Sequence, residues 1–277
     1  MVRFGRGIYK TPEQVLAMVG PGLATTASLA AVRAAIQPGI STLELDAIAE
    51  RTIRAAGAVP NFMKEPGYHH TLCVSVNDAV VHGVPNGRVL QAGDIVSVDS
   101  GAELGGWNGD SAITVVVPDA SRPEMVAARQ ALSDATEYGM WAGIASLTRI
   151  TDLNHIGGVI EDAIRSRGTF GIIEDYVGHG IGRSMHEEPP VFNYHVGGRG
   201  PQVKPGLVIA IEPMVTEGTI ETHVLDDDWT IVTDDGGMAA HWEHTVAVHA
   251  DGLWVLTAED GGAAGLAPFG IVPIAPR

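Results

Sequence analysis

The amino-acid sequence predicts a mixed α/β (α+β) chain built of two related halves, and three observations predict it. The order helix, helix, short strands runs once through the first half of the chain and again through the second. Glu50, Ile53, Arg54 and Gly57 return as Glu161, Ile164, Arg165 and Gly168, the same spacing 111 residues further on. The strand-like runs are short and apolar, with glycine-rich turns between them. Two unrelated amphipathic helices with a glycine stop would also give the repeated words. The repeated element order around them is what points to halves facing each other, with a shared site drawing ligands from both.

The elements follow in order. Thr11-Pro12 places a cap residue before a proline in the first turn of a helix. That helix is expected to kink or break near Pro21, because an interior proline costs roughly 3 kcal/mol. After Pro38-Gly39, Ser41 and Glu44 form a capping-box pattern for a second helix to about residue 56. Strands are expected over 71–76, 94–100 and 111–117. Ser121 and Glu124 repeat the capping box ahead of a helix to about residue 144. Another helix is expected over 152–167, and strands over 207–214, 229–233 and 244–249. From Glu259 onward the chain is rich in Gly, Ala and Pro and reads as a tail with little regular structure. The expected organisation is one catalytic unit, 1–258, and a C-terminal tail, 259–277.

Composition narrows the function classes. A chain of 277 residues, 45% of them hydrophobic, can bury about three quarters of its unfolded surface without staples. Acidic residues outnumber basic ones 33 to 17, a net charge of −16 that repels a phosphate backbone, and no basic cluster offsets it. Nucleic acid is therefore not an expected partner. The one cysteine, Cys73, permits no intramolecular disulfide and suits a reducing cytoplasm. No run of about 18 apolar residues predicts a membrane span. Arg3, Arg6 and Lys10 before the apolar stretch 15–31 imitate a secretion signal. Glu13, the Gly20-Pro21 interruption and the amphipathic continuation to Ile36 favour an ordinary first helix.

The segment from Asp94 to Asp110 reads as a β-hairpin. With Gly105-Gly106 as a two-residue turn, Leu104 opposes Trp107 and Gly101 opposes Asp110. Asp99 then shares a sheet face with Asp110 at a diagonal of roughly 7–8 Å, within joint reach of a metal. Two solvated aspartates near a turn would show the same spacing. Asp99, however, ends the apolar run Ile95–Val98, which places it at a buried strand edge.

A second cluster contains His179 and His186 in a glycine-rich stretch. Seven apart, they cannot share a face of one straight strand, so they converge only if the chain bends. Glu212 closes the apolar run Val208–Ile211, and Glu243 stands immediately before another apolar run. Either glutamate alone could sit at an exposed strand end. Buried carboxylates need a partner, and arginine partners are scarce, Arg183 being the candidate. Asp99, Asp110, Glu212 and Glu243 with His179 bring four negative charges and one imidazole together. Two divalent cations balance that charge, and the donor set suits Co, Mn, Fe(II) or Zn. Two such ions can bridge a water, lower its pKa and polarise a carbonyl, which points to hydrolysis of a peptide or amide.

Those five residues match in order and spacing the metal ligands of the methionine aminopeptidases. The words V-V-H-G-V-P-N at 80–86, G-H-G-I-G-R at 178–183, H-E-E-P at 186–189, I-E-P at 211–213 and E-H-T at 243–245 also resemble that family. The resemblance runs from about Thr11 to Leu256. It implies the pita-bread fold, two pseudo-symmetric halves with a central antiparallel sheet covered by helices. It implies a hydrolase that removes the initiator methionine from nascent chains when the second residue is small, a metal-bridged water attacking the first peptide carbonyl. By the same resemblance, His82 assists proton movement near the substrate amine and amide. His186 hydrogen-bonds the substrate backbone, and Glu212 doubles as ligand and proton shuttle. Tyr68, Cys73, His82, Met185, His186 and Trp229 would hold the substrate, with a soft apolar wall for a thioether. The implied setting is a cytoplasmic monomer meeting nascent N-termini, near the ribosomal exit, with no membrane role.

Two departures concern the pocket. Met185 stands where the family usually has an aromatic, and Phe62 and Glu65 occupy positions often held by cysteine and tyrosine in bacterial relatives. The 30 residues between Glu212 and Glu243 leave out the long insertion of the type II enzymes, so the resemblance is to type I in its short form. A proline-specific peptidase of the same fold is the nearest alternative. Such enzymes usually carry an additional domain ahead of the catalytic half, and only 98 residues precede Asp99. A non-catalytic relative acting as an interaction module is the alternative from another class, expected to lose ligands and gain basic patches.

Overall fold

The computed structural model describes residues 7–277, so Arg3 and Arg6 lie outside the described residues. Helix α1, Pro12–Ala35, opens on a capping box in which Thr11 and Gln14 bond each other's backbone N–H. Its buried positions Val15, Met18, Gly22, Thr25, Leu29 and Val32 advance by three and four residues, one continuous helical stripe. The break expected at Pro21 does not occur. Packing overrides the lost hydrogen bond: Gly22 lies against the backbone of Gly109 and Leu256, and the Thr25 hydroxyl reaches the carbonyls of Pro21 and Gly109, each at 3.1 Å. Among the described residues α1 is the one helix long and apolar enough to span a membrane by length and composition. Half of its most apolar window is buried within the protein.

Helix α2, Thr42–Ala55, starts with the expected Ser41–Glu44 capping box. Helix α3, Pro123–Ser146, does not use the one predicted at Ser121. Asp119 Oδ1 accepts from both the hydroxyl and the backbone N–H of Ser121, at 2.6 and 2.8 Å. The helix begins at Pro123, which has no N–H to satisfy. Helix α4, His155–Arg165, is likewise shorter at its start than predicted, because Asp152 accepts from the backbone of Asn154 and Gly200. The two helix pairs repeat one another. In both, the matching glutamate and arginine pair across one turn at 2.8 Å, Glu50 with Arg54 and Glu161 with Arg165.

Among the described residues nine strands, numbered along the chain, form an antiparallel main sheet. They are β1 (Val59–Pro60), β2 (Leu72–Val76), β3 (Ile95–Leu104), β4 (Trp107–Val116), β5 (Gly178–Gly180), β6 (Glu187–Val191), β7 (Val208–Ile211), β8 (Glu243–His249) and β9 (Gly252–Val255). Their order is β1-β3-β4-β8-β7-β5-β6, with β2 beside β3 and β9 beside β8. Strands β3 and β4 take the predicted register, Leu104 opposite Trp107 and Gly101 opposite Asp110. Gly105 and Gly106 both have positive φ, +62° and +76°, as a tight turn between twisted strands demands. The second half supplies β5 to β7, and β8 joins it to the first half by pairing with β4 and β7. Helices α1 and α3 cover the sheet over a core that includes Leu29, Val32, Ile113, Leu132, Ile144 and Val246.

Beyond Glu259, Ala263–Leu266 forms one helical turn whose Gly265 lies against Trp141 of α3. Ile274 bonds through its N–H to Leu253 at 3.0 Å and through its carbonyl to His249 Nε2 at 2.7 Å.

A side chain on Gly22 would run into the Leu256 carbonyl. Gly22→Val is expected to cost at least about 2 kcal/mol, overpacking outweighing any gain in helix propensity. Thermal unfolding checks this; an unchanged melting temperature would show that α1 is not held at that contact.

Candidate metal centre and pocket

Strand geometry delivers the acidic residues to one place. Asp99 on β3 and Asp110 on β4 come from adjacent strands, and Glu243 starts β8 opposite Ala112, itself the partner of Asp99. Glu212 follows the last residue of β7, next to β8. His179 sits in β5, where a register shift between His179 and Gly180 bends the chain. That bend brings the rings of His179 and His186 to 4.5 Å, edge to face. Gly180 makes the bend possible, because any side chain there would meet the carbonyl of Glu188.

Asp99, Asp110, His179, Glu212 and Glu243 line one cavity of about 120 Å³ together with His82, His186, Tyr68, Cys73, Met185 and Trp229. Every candidate site residue named from the sequence therefore meets in it. Phe62 and Glu65 line it as well, as does Val81. Phe62, Tyr68, Cys73 and Met185 form a buried apolar cluster with Trp229 packed against them. The Tyr68 and Trp229 rings meet edge to face at 4.9 Å, and the Tyr68 hydroxyl donates to the Leu72 carbonyl at 2.6 Å. His186 is exposed at the rim. His82 is held at φ +57°, a strained conformation for a non-glycine residue, and meets Tyr176 edge to face.

Three observations decide whether this donor set fits a metal. The ligand atoms of Asp99, Asp110 and Glu243 lie within 4.8 Å of one another, as do those of His179, Glu212 and Glu243. Asp99 Oδ1, Asp110 Oδ1 and Glu243 Oε1 are buried without any hydrogen-bond partner, a costly state for a carboxylate oxygen. The tautomer of His179 suits ligation too. Its Nδ1 lies 2.9 Å from the Gly180 carbonyl, so Nδ1 carries the proton and the Nε2 lone pair faces Glu212 Oε1 at 3.3 Å. Among the described residues no arginine compensates the charge: Arg183 stacks on Trp107 at 4.0 Å and donates to the carbonyls of Gly105 and Gly106. The residues fit divalent metal.

Burial raises all four carboxyl groups. Asp99 is pushed up to about 7 by burial, with His241 pulling down and Glu212 reinforcing the rise. Glu212 reaches about 7 by burial, with His179 opposing. Burial and the neighbouring carboxylates push Asp110 and Glu243 well above the usual range. Burial also lowers His82, to about 4, so its ring is neutral at pH 7.

His241 is the residue to which the sequence reading gave no role. It stands two before Glu243 in an extended segment, so the two side chains share a face. That period of two was available in the sequence; the second carboxylate partner that makes it matter was not.

The chain matches the sequence profile of metallopeptidase family M24 over residues 22–250. It is 49% identical over 247 residues to methionine aminopeptidase 1 of Mycobacterium tuberculosis (strain CDC 1551 / Oshkosh), covering 87% of this chain and 91% of that one. It is 40% identical over 250 residues to methionine aminopeptidase 1 of Bacillus subtilis (strain 168), covering 90% and 98%. The crystal structure of methionine aminopeptidase from Rickettsia prowazekii superposes with a TM-score of 0.83 at 30% identity, covering 93% of this chain and all of that one.

The raised carboxyl groups fix the sign of a pH effect on the metal-free protein. A carboxyl group near 7 when folded and near 4 when unfolded binds more protons folded, so stability falls as pH rises through about 7. Below about pH 6.5 the buried histidines oppose this, because unfolded imidazoles charge there first. With chelator present, the melting temperature is expected to fall between pH 6.5 and 8, and divalent metal is expected to reverse the trend. A flat profile in chelator would mean the carboxylates are not held together.

Proposed function

The chain belongs to metallopeptidase family M24, among its methionine aminopeptidases, and from that premise we propose how its residues divide the work. The reaction is metal-dependent hydrolysis that takes the first methionine off a polypeptide. The observation that carries the assignment of roles is the set of partnerless carboxylate oxygens under an apolar pocket. Asp99, Asp110, His179, Glu212 and Glu243 hold two divalent ions, drawn from Co, Mn, Fe(II) or Zn. When bound, such ions supply Lewis acidity for activating water and polarising the peptide carbonyl.

The protein's own groups do the rest. Glu212, beside the metal position, takes a proton from water and passes it to the departing amine. His82, neutral and fixed in a strained loop, bonds the substrate near its amine and first amide. His186, at the rim, bonds the backbone beyond the scissile bond. Phe62, Tyr68, Cys73, Met185 and Trp229 surround the methionine side chain and exclude water from it. The chains cut are those whose second residue is small. The substrates are free N-termini of nascent chains, met by a cytoplasmic monomer near the ribosomal exit. The acidic surface supports the absence of a direct nucleic-acid contact.

Methionine release from Met-Ala-Ser is expected to vanish in chelator and return with Mn, Fe(II), Co or Zn, while Ala-Pro peptides remain uncut. No release with any metal from folded protein would sink the proposal. Asp99→Ala and Glu243→Ala are each expected to abolish turnover with the fold retained, and full activity in either would remove that residue from the metal centre. His82→Ala is expected to lower kcat by about 10²–10⁴ with metal content unchanged. An unchanged rate would withdraw its role.

A further inference from the structure

His241 is buried to 1% exposure beside the carboxylate cluster. Its backbone is fixed: the N–H faces Ser97 Oγ at 3.1 Å and Thr114 Oγ1 at 3.0 Å, and the carbonyl accepts from Thr114 Oγ1 at 2.7 Å. The segment Ala239–His241 pairs with Met214–Thr216, placing His241 opposite Met214, two residues past Glu212. The imidazole is thereby delivered beside Glu212, with Nε2 3.6 Å from Oε2. That nitrogen is buried and has no hydrogen-bond partner. The other carboxylate oxygen, Oε1, faces His179 Nε2 at 3.3 Å. Glu212 is thus flanked by an imidazole at each oxygen, and only one of the two belongs to a cluster of metal-ligating atoms.

We propose that His241 is a positioning residue for Glu212, its Nε2–H donating to Oε2 and holding the carboxylate so that Oε1 stays aimed, with His179, at the metal position. The approach from 3.6 Å to a normal hydrogen bond needs only a few tenths of an ångström, well within a side-chain adjustment. A neutral imidazole suffices, and burial lowers the affinity of His241 for a second proton, against the pull of Asp99. Without that donor, Glu212 can rotate between oxygens and loses the fixed orientation that ligation and proton transfer both require. The inference rests on the assignment of Glu212 as ligand and proton acceptor.

The test compares His241→Leu, which keeps bulk and removes the donor, with His241→Gln, whose amide N–H reaches a similar point. His241→Met serves as a second donor-free variant should Leu fold poorly. In the metal-loaded enzyme, the donor-free variants are expected to lose about 10–100-fold in kcat on Met-Ala-Ser with KM near wild type. Gln is expected to restore most of that loss. The visible absorption of the Co(II)-loaded protein is expected to shift in Leu and return in Gln. Wild-type kcat and spectrum in Leu would overturn the inference, and so would equal damage in Gln and Leu. A wild-type protein that releases no methionine would instead overturn the functional reading, and the Co(II) spectra would still decide the role of His241.

Discussion

Asp99, Asp110, Glu212 and Glu243 repel one another in a pocket where water cannot screen them, and the fold must hold them together before any metal arrives. It does so from behind the sheet, through the backbones that carry them. The Ser111 hydroxyl donates to the Glu243 carbonyl at 2.6 Å. The Thr245 hydroxyl donates to the Asp110 carbonyl at 2.8 Å and lies 3.2 Å from the Asp110 N–H. Thr257 Oγ1 accepts from the Thr245 N–H and stands 2.9 Å from His244 Nδ1. Two hydroxyls thus clamp β4 to β8, the seam between the halves, and Thr257 braces β8 from the segment after β9. Ser111 follows Asp110 and so points to the opposite face, whereas Thr245 stands two beyond Glu243 on the carboxylate's own face.

The same seam explains why two halves are needed. Asp99 and Asp110 come from one hairpin, whereas His179 and Glu212 come from the second half and meet them only because β8 pairs with both β4 and β7. Neither half alone assembles a donor set that balances charge. The sheet can close in this way only if α1 lies close against it, which the Gly22 contact with Gly109 and Leu256 permits.

What was legible in the sequence was whatever local chemistry decides. The β3–β4 register followed from Gly105-Gly106, and the capping boxes at Thr11 and Ser41 formed as written. Local rules failed where a competing contact was stronger. Packing carried α1 through Pro21, and Asp119 took the hydroxyl that would have capped α3. The five residues gathered in the cavity were legible because the family resemblance spans them. His241 was not, because its meaning depends on pairing with a strand 25 residues earlier in sequence, and no local pattern carries that distance.

The departures in the pocket are also better read in three dimensions. By resemblance, an aromatic belongs at 185 and a cysteine at 62; here the aromatic is Phe62 and the thioether is Met185. Both are buried in one cluster with Tyr68 and Cys73, at 5% and 9% exposure. The aromatic bulk has therefore moved from one wall to another while the apolar character of the lining is kept, the kind of compensated exchange that cores tolerate best. Glu65 behaves differently: it is half-buried in the same lining, and no salt bridge holds its carboxylate among the described residues. Phe62, Met185 and Trp229 together still offer a soft, polarisable apolar surface, the kind a thioether packs against.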